Sequence, residues 1–408
     1  MGTRELAVLK TFKSIKDNFR ISSRDVDIDN LAFKLHYRAT AGFLLSCTAL
    51  VSTYTYFGGH IACVSDKGVS EQVINSFCFF SSTFTVVRHL NSSSVDQGLA
   101  LGPGVGPLAP GDEVVRHAYY QWVPFLLFAQ ALCFCLPHLA WKALEGGSVK
   151  GFSAGLRGLQ LAVGDQELRL GRGVVVPTRQ HREAAVSTAA RAFLARRPLF
   201  GGWALRLAAC ELMNLANVVL QVAAIHAFLG NRFWDLRPWV GGGNLDAVFP
   251  KLTKCSFHKF GPGGSVQTHD ALCVMQLNLV NEIIFAATWF WMVFLAAATV
   301  GAVAWRAGTF LLHGRSRGLA EALLTASYPG RPRDGSARQV ADGCDYPSWL
   351  FLRYLGRNVD AATFRDLVRA VAEQLSPGST HDDDHHPSRQ ETFPLNNNSL
   401  KKHDVVQF

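Results

Sequence analysis

From Ile283 to Trp305 the chain carries no Asp, Glu, Lys or Arg. At about 1.5 Å per residue, a helix over that run crosses a hydrocarbon core about 30 Å thick, and a helix apolar on every side belongs in lipid or in a large core. Three further windows lack acidic and basic side chains over comparable lengths: about Ala39 to Phe57, Tyr119 to Trp141 and Leu212 to Leu229. With 49% hydrophobic and 17% charged residues among 408, the composition fits a chain that crosses a bilayer repeatedly. Four spans put both termini on one side. Residues 1–38 mix charges and hold no apolar core of signal-peptide length, so the first span is expected to act as the membrane signal.

The net charge of +9 raises the question of nucleic acid, and its distribution answers it. Basic residues cluster beside the spans: Arg4, Lys10, Lys13, Lys16, Arg20, Arg24, Lys34 and Arg38 before the first, many from Lys142 to Arg206 between the second and third, and Arg306, Arg315 and Arg317 after the fourth. The positive-inside bias places those segments and both termini in the cytosol, and 58–118 and 230–278 outside. No nucleic-acid motif accompanies the charge, so the expected contact is the lipid bilayer and not nucleic acid.

Two of the nine cysteines fall in each outer segment, Cys63 and Cys78 in one, Cys255 and Cys273 in the other. Thiols on an oxidising face pair, and four cysteines allow three pairings among which spacing does not choose. A zinc site is the rival, since Cys255-x-x-His258 and His269-x-x-x-Cys273 have ligand spacing. Disulfides are the preferred assignment, and no metal or other cofactor is expected. Cys133 and Cys135 inside a span read as small buried thiols. The run His381 to His386 reads as a solvated tail.

The remaining stretches refine this outline. Leu6, Leu9, Phe12, Ile15 and Phe19 recur at helical spacing with Lys10, Lys13, Lys16 and Arg20 on other faces, which fits a helix lying on the inner leaflet or lining a pore. Tyr54, Tyr56 and Phe57 form an aromatic collar of the kind that marks a membrane boundary. Asn91-Ser92-Ser93 is a glycosylation sequon, and 101–111 reads as a flexible linker or an irregular loop. Glu211, Asn214, Asn217, Gln221 and His226 put polar groups largely on one side of the third span, as helix-to-helix glue or as a pore-facing stripe. Residues 348–375 have the spacing of two helices broken near Gly356 and Asp360. No Gly-x-Ser-x-Gly, phosphate loop or intramembrane carboxylate pair is present, so no enzyme is expected.

Several stretches then resemble the innexins, the invertebrate gap-junction family. These are Leu35-His36-Tyr37, Phe77-Cys78 with Ser82-Thr83-Phe84-Thr85, Tyr119-Tyr120-Gln121-Trp122-Val123, and Trp141-Lys142 with Glu145-Gly146-Gly147. Further along they are Cys210 to Asn214, Thr253 to Gly261, Asp270 to Cys273, Leu277 to Glu282 and Leu355-Gly356-Arg357-Asn358. The resemblance implies an all-α, four-span, large-pore channel subunit with disulfide-stapled outer loops and a cytosolic helical cap. It implies assembly into an octameric ring, with itself or with other innexins, that docks onto a hemichannel of the adjacent cell. It also implies the pairs Cys63–Cys273 and Cys78–Cys255, and an N-terminal segment folded into the pore. Leu6, Lys10, Lys13, Lys16, Tyr54 and His60 are then the pore-lining candidates. Asn91 is the glycosylation candidate, and a glycan there would oppose docking and favour an unpaired, pannexin-like hemichannel. A four-span adhesion or scaffold protein is the remaining alternative, but the cysteine motifs of tetraspanins and claudins are missing.

The expected division runs 1–38 (pore funnel and lead-in), 39–57 (first span), 58–118 (outer loop), 119–141 (second span) and 142–206 (cytosolic loop). It continues with 207–229 (third span), 230–278 (outer loop), 279–305 (fourth span), 306–376 (helical cap) and 377–408 (disordered tail).

Overall fold

The computed structural model describes residues 26–57, 59, 61–64, 70–90, 102–156, 159, 168–170, 174–176, 178–236, 245–326 and 335–376. Its first helix, α1 (Leu31–Lys34), starts where Asn30 Oδ1 accepts from the Phe33 N–H at 2.9 Å, a side-chain cap for an otherwise unpaired donor. The helical path continues through a π-helical turn, Leu35–Thr40, into α2 (Ala41–Phe57). In that wide turn the Thr40 hydroxyl donates to the Leu35 carbonyl and accepts from Trp291 Nε1 at 2.8 Å.

After β1 (Ala62–Val64), α3 (Glu71–Ser81), β2 (Thr83–Val86) and β3 (Val114–His117), the chain enters α4 (Val123–Glu145) with Pro124 in its first turn, where a missing N–H costs nothing. α4 ends at Gly146 and Gly147, both at positive φ, and the Glu145 carboxylate turns back to accept from the Gly147 and Val149 N–H groups at 2.8 and 2.7 Å. That carboxylate caps α5 (Ser148–Ala154). A two-stranded hairpin, β4 (Leu168–Leu170) and β5 (Val174–Val176), precedes α6 (Arg179–Ala195) and the long α7 (Arg197–Phe228). The hairpin β6 (Leu252–Phe260) and β7 (Val266–Val274) leads into α8 (Gln276–His313). The cap follows as α9 (Arg317–Thr325), α10 (Ser336–Gly343), α11 (Tyr346–Gly356) and α12 (Ala361–Leu375), with Asp360 Oδ1 capping α12 at the Thr363 N–H.

Among the described residues α4, α7 and α8 are long and apolar enough to cross a membrane. At about 57 Å, α8 is longer than a hydrocarbon core about 30 Å thick. The buried residues form two cores at opposite ends of this bundle. One joins α4, α6, α7 and the cap, with Phe200 stacked on Phe351 at 4.3 Å between ring centres. The other joins the helices to a five-stranded sheet of order β1-β7-β6-β2-β3.

The stretch at 102–111 is irregular, and backbone hydrogen bonds hold it to its neighbours. Gly104 accepts from the Val86 N–H and donates to the His89 carbonyl, and Val105 is buried. Gly104 has φ +79°, and a Cβ there would lie 2.7 Å from Thr85 Cβ, so close packing requires glycine.

Candidate functional site

At the sheet end, β1 pairs antiparallel with β7 so that Cys63 stands directly opposite Cys273, and the two are disulfide-bonded. Cys78 on the inner face of α3 is bonded to Cys255 on β6. Residues 210 and 177 positions apart are thereby joined, and all four cysteines are buried. The zinc rival loses its ligands, because Cys255 and Cys273 offer no free thiolate. Asn75 on α3 accepts from the Cys63 N–H at 2.7 Å, and Phe77 meets Phe257 edge-on at 5.0 Å, so α3 lies against the hairpin.

The Tyr119-Tyr120-Gln121 stretch has a local task here. The Tyr120 hydroxyl and Gln121 Nε2 both donate to the Phe79 carbonyl, satisfying the end of α3. Lys254, only 9% exposed, donates to the Gly106 carbonyl and pairs with Asp270 at 3.0 Å, fastening the irregular loop to the hairpin. Lys251 bridges Asp246 and Glu282 at 3.1 and 3.2 Å, and its bond to Asp246 above all holds its pKa above the ordinary value. His117 is bonded to the Thr85 hydroxyl, and burial, aided by the Arg232 charge, pushes its pKa down to about 4.

At the opposite end a short extended segment, residues 27–30, is held by most of the elements around it. Asn358 Oδ1 accepts from the Asp27 N–H at 2.6 Å, and Asn358 Nδ2 donates to the Asp27 carbonyl at 3.0 Å. Trp141 Nε1 donates to the Ile28 carbonyl at 3.0 Å. The buried Asp29 carboxylate accepts from the Tyr37 hydroxyl and lies 3.2 Å from His138 Nδ1, while the Tyr37 and His138 rings stack at 3.7 Å. Asn30 Nδ2 donates to Glu211 at 2.6 Å, and Glu211 also receives Arg306. Arg306 reaches on to the Tyr354 hydroxyl at 3.3 Å, which brings in the cap.

Tyr54 lies at the sheet end of α2 and is 44% exposed in the isolated chain. Leu6, Lys10, Lys13, Lys16, His60 and Asn91 lie outside the described residues. The polar stripe of α7 is buried at Glu211, Asn214 and Gln221; Glu211 bonds Arg306 of α8, Gln221 Nε2 donates to Asn217 on the same helix, and the Gln221 backbone carbonyl accepts from Gln130 of α4. Sequence reading did not single out Asp27, Asp29, Asn30, His138 or Tyr354, and it took Arg306 only as a marker of topology. Asn30 ahead of an apolar run, as a helix cap, is a local signal that could have led there.

The family model described as Innexin matches residues 29–375. Among curated proteins the chain is similar to "Innexin inx7" of Drosophila melanogaster, at 41% identity over 92% of this chain and 87% of that protein. It is 35% identical to "Innexin inx2" of Schistocerca americana over 89% of this chain and 97% of that one. It is also 32% identical to "Innexin inx3" of Drosophila melanogaster, over 90% and 89% respectively.

Proposed function

The chain belongs to the innexin family, the subunits of gap-junction channels, and on that premise we propose that it crosses the bilayer four times, with the β-sheet end outside and both termini with the helical cap in the cytosol. The observation that carries the orientation is the partition of the cysteines. Both disulfides lie at the sheet end, whereas Cys47, Cys133, Cys135, Cys210 and Cys344, in the helices and the cap, are free. Disulfides persist on the oxidising side of a cell membrane and not in the cytosol. The clustering of Arg and Lys beside the cap agrees, and the unbroken helical path from Leu31 to Phe57 supplies the first span beside α4, α7 and α8.

The subunits assemble as an octameric ring, of this chain alone or mixed with other innexins, and the sheet end meets a ring in the neighbouring cell. Exposed Phe80, Phe260 and Val266 at that end supply apolar surface for the contact. Part of residues 2–20 lines the pore, with Leu6, Lys10, Lys13 and Lys16 as the candidates toward the permeating ions and Tyr54 and His60 as further lining candidates. The disulfides hold the two outer segments as one docking body.

The test is dual voltage clamp on paired cells expressing the chain, with single-cell current recorded in parallel. Current between cells establishes docking. Current in single cells alone favours the unpaired hemichannel, a reading that rests on the sequon at Asn91.

A further inference from the structure

We infer that Cys78 is a site of thiol–disulfide exchange: a small-molecule thiol that opens its bond to Cys255 frees a sulfur that then rearranges the second bridge, so that one reducing event undoes both staples of the sheet end. The inference stands on the placement of the four sulfurs and goes beyond the channel reading.

The sulfurs of Cys63, Cys78 and Cys273 lie within 4.8 Å of one another. Closing such a gap to a disulfide length of about 2.05 Å takes less than about 3 Å of movement, within the swing of a cysteine side chain. Asn75, one turn before Cys78 on α3, accepts from the Cys63 N–H at 2.7 Å and so keeps the Cys63–Cys273 bridge beside that helix.

Cys255 has no such reach. In the order β1-β7-β6 a whole strand separates it from Cys63, about 9–10 Å at the usual spacing of neighbouring strands. Across the β6–β7 ladder it faces Ala271, while Cys273 faces Thr253. Cys255 and Cys273 are therefore diagonal neighbours, about 7 Å apart at Cβ, where a disulfide needs about 3.8 Å. Cys78 comes to the sheet from α3 instead of from a strand, and so it alone can serve either bridge.

The steps balance without an oxidant. The attacking thiolate bonds to Cys255 Sγ, the Cys78–Cys255 bond breaks, and its electron pair leaves on Cys78. Cys78 then attacks the other bridge at Cys63 or at Cys273 and forms a new disulfide there. The Cys63–Cys273 bond breaks, and the displaced cysteine leaves as a thiolate and takes a proton from water. Attack on Cys78 in place of Cys255 frees Cys255, from which the exchange goes no further. Access runs through α3, a helix of 11 residues whose Ser70 cap makes no side-chain bond and whose Val73 and Phe80 are exposed, because local opening of such an element uncovers what it packs on.

The experiment treats the purified full-length protein with millimolar 2-mercaptoethanol at mildly alkaline pH, quenches with acid, and blocks free thiols with N-ethylmaleimide. Bonds are then mapped by mass spectrometry after tryptic digestion, since cleavage after Lys67 and Lys259 puts the paired cysteines of each segment on separate peptides. The expected result is a rise of about tenfold or more in peptides joining Cys78 to Cys63 or to Cys273, with the thiol adduct on Cys255 and loss of the Cys63–Cys273 peptide. Blocked Cys78 beside an intact Cys63–Cys273 bond overturns the inference, and so do two bridges that both survive the treatment. Two variants, taken from the folded peak of a sizing column, check the asymmetry. In Cys255→Ser, where Cys78 starts as a thiol, its bonds to Cys63 or Cys273 are expected within about tenfold of the Cys63–Cys273 bond. In Cys78→Ser, Cys63–Cys273 alone is expected, with Cys255 free. Cys255 bonded to Cys63 or Cys273 in Cys78→Ser as often as Cys78 is in Cys255→Ser overturns the role given to Cys78. If a variant does not fold, the mapping of the wild-type protein decides.

Discussion

Arg306 and Glu211 meet through two parallel bonds, Nε to Oε2 at 3.0 Å and Nη2 to Oε1 at 2.7 Å, with side chains only 17% and 5% exposed. The pair joins α7 to α8 next to the cap. Removing one partner of such a pair strands the other charge away from water, which costs about 3–5 kcal/mol. Glu211→Gln and Arg306→Met are each expected to lower the melting temperature of the purified channel, and the double variant to lose less than the sum. Melting followed by size-exclusion chromatography measures this, and strictly additive losses would show that the two side chains do not act as a pair.

Cys273→Ser frees Cys63 and opens a link across 210 residues. Loss of a native disulfide costs about 2–5 kcal/mol in small secreted domains. The expected outcome is loss of current between paired cells with surface delivery reduced, although every spanning helix is unaltered. Normal junctional current from this variant would remove the bond from the functional account.

His117 is expected to make the sheet end sensitive to acid. Its pKa falls from the usual 6.5 to about 4 in the folded protein, so the unfolded chain binds the proton more readily. Stability is therefore full above about pH 6.5, declines as pH drops toward about 4, and levels off below, by roughly 3 kcal/mol at full extent. Melting temperatures followed from neutral to acid pH should fall more steeply in wild type than in His117→Gln. Parallel curves would mean that His117 contributes nothing to the slope.

Replacing Lys10, Lys13 and Lys16 together by Gln should shift reversal potentials in salt gradients toward cation preference, because lysines in a lumen raise the local anion concentration. Unchanged selectivity would remove these lysines from the pore lining.

Much of this was legible one stretch at a time. The charge-free windows located α4, α7 and α8, because the expense of a charge in hydrocarbon is borne by each residue where it stands. The helix break near Gly356 and Asp360 was legible for a similar reason, since a cap is a contact between residues three apart. The β6–β7 hairpin was less so. The Gly261-Pro262-Gly263-Gly264 turn is plain, but the nine-residue strands on either side carry no strict alternation, because their tip is exposed on both faces and their base is buried under α3. The 101–111 stretch left a flexible linker and an irregular loop both open for a related reason: glycine marks both free linkers and places where two backbones touch, and Gly104 is of the second kind.

The clamp on residues 27–30 had almost no local signature. Its members stand at 27–30, 37, 138, 141, 211, 306, 354 and 358, and of these only Glu211, as a polar group within a span, stood out for its own chemistry. By itself the sequence determined that this is a polytopic helical chain with two cysteines in each of two segments flanked by spans, since apolar transfer and capping act within one window. Cysteine spacing left the pairing open and the family resemblance implied the pairs that the structure shows, whereas only the tertiary structure decided that Glu211 meets Arg306 and that Asn358 holds Asp27. Hydrogen bonds and ion pairs of that kind reach only about 3 Å, and packing alone brings distant parts of a chain that close.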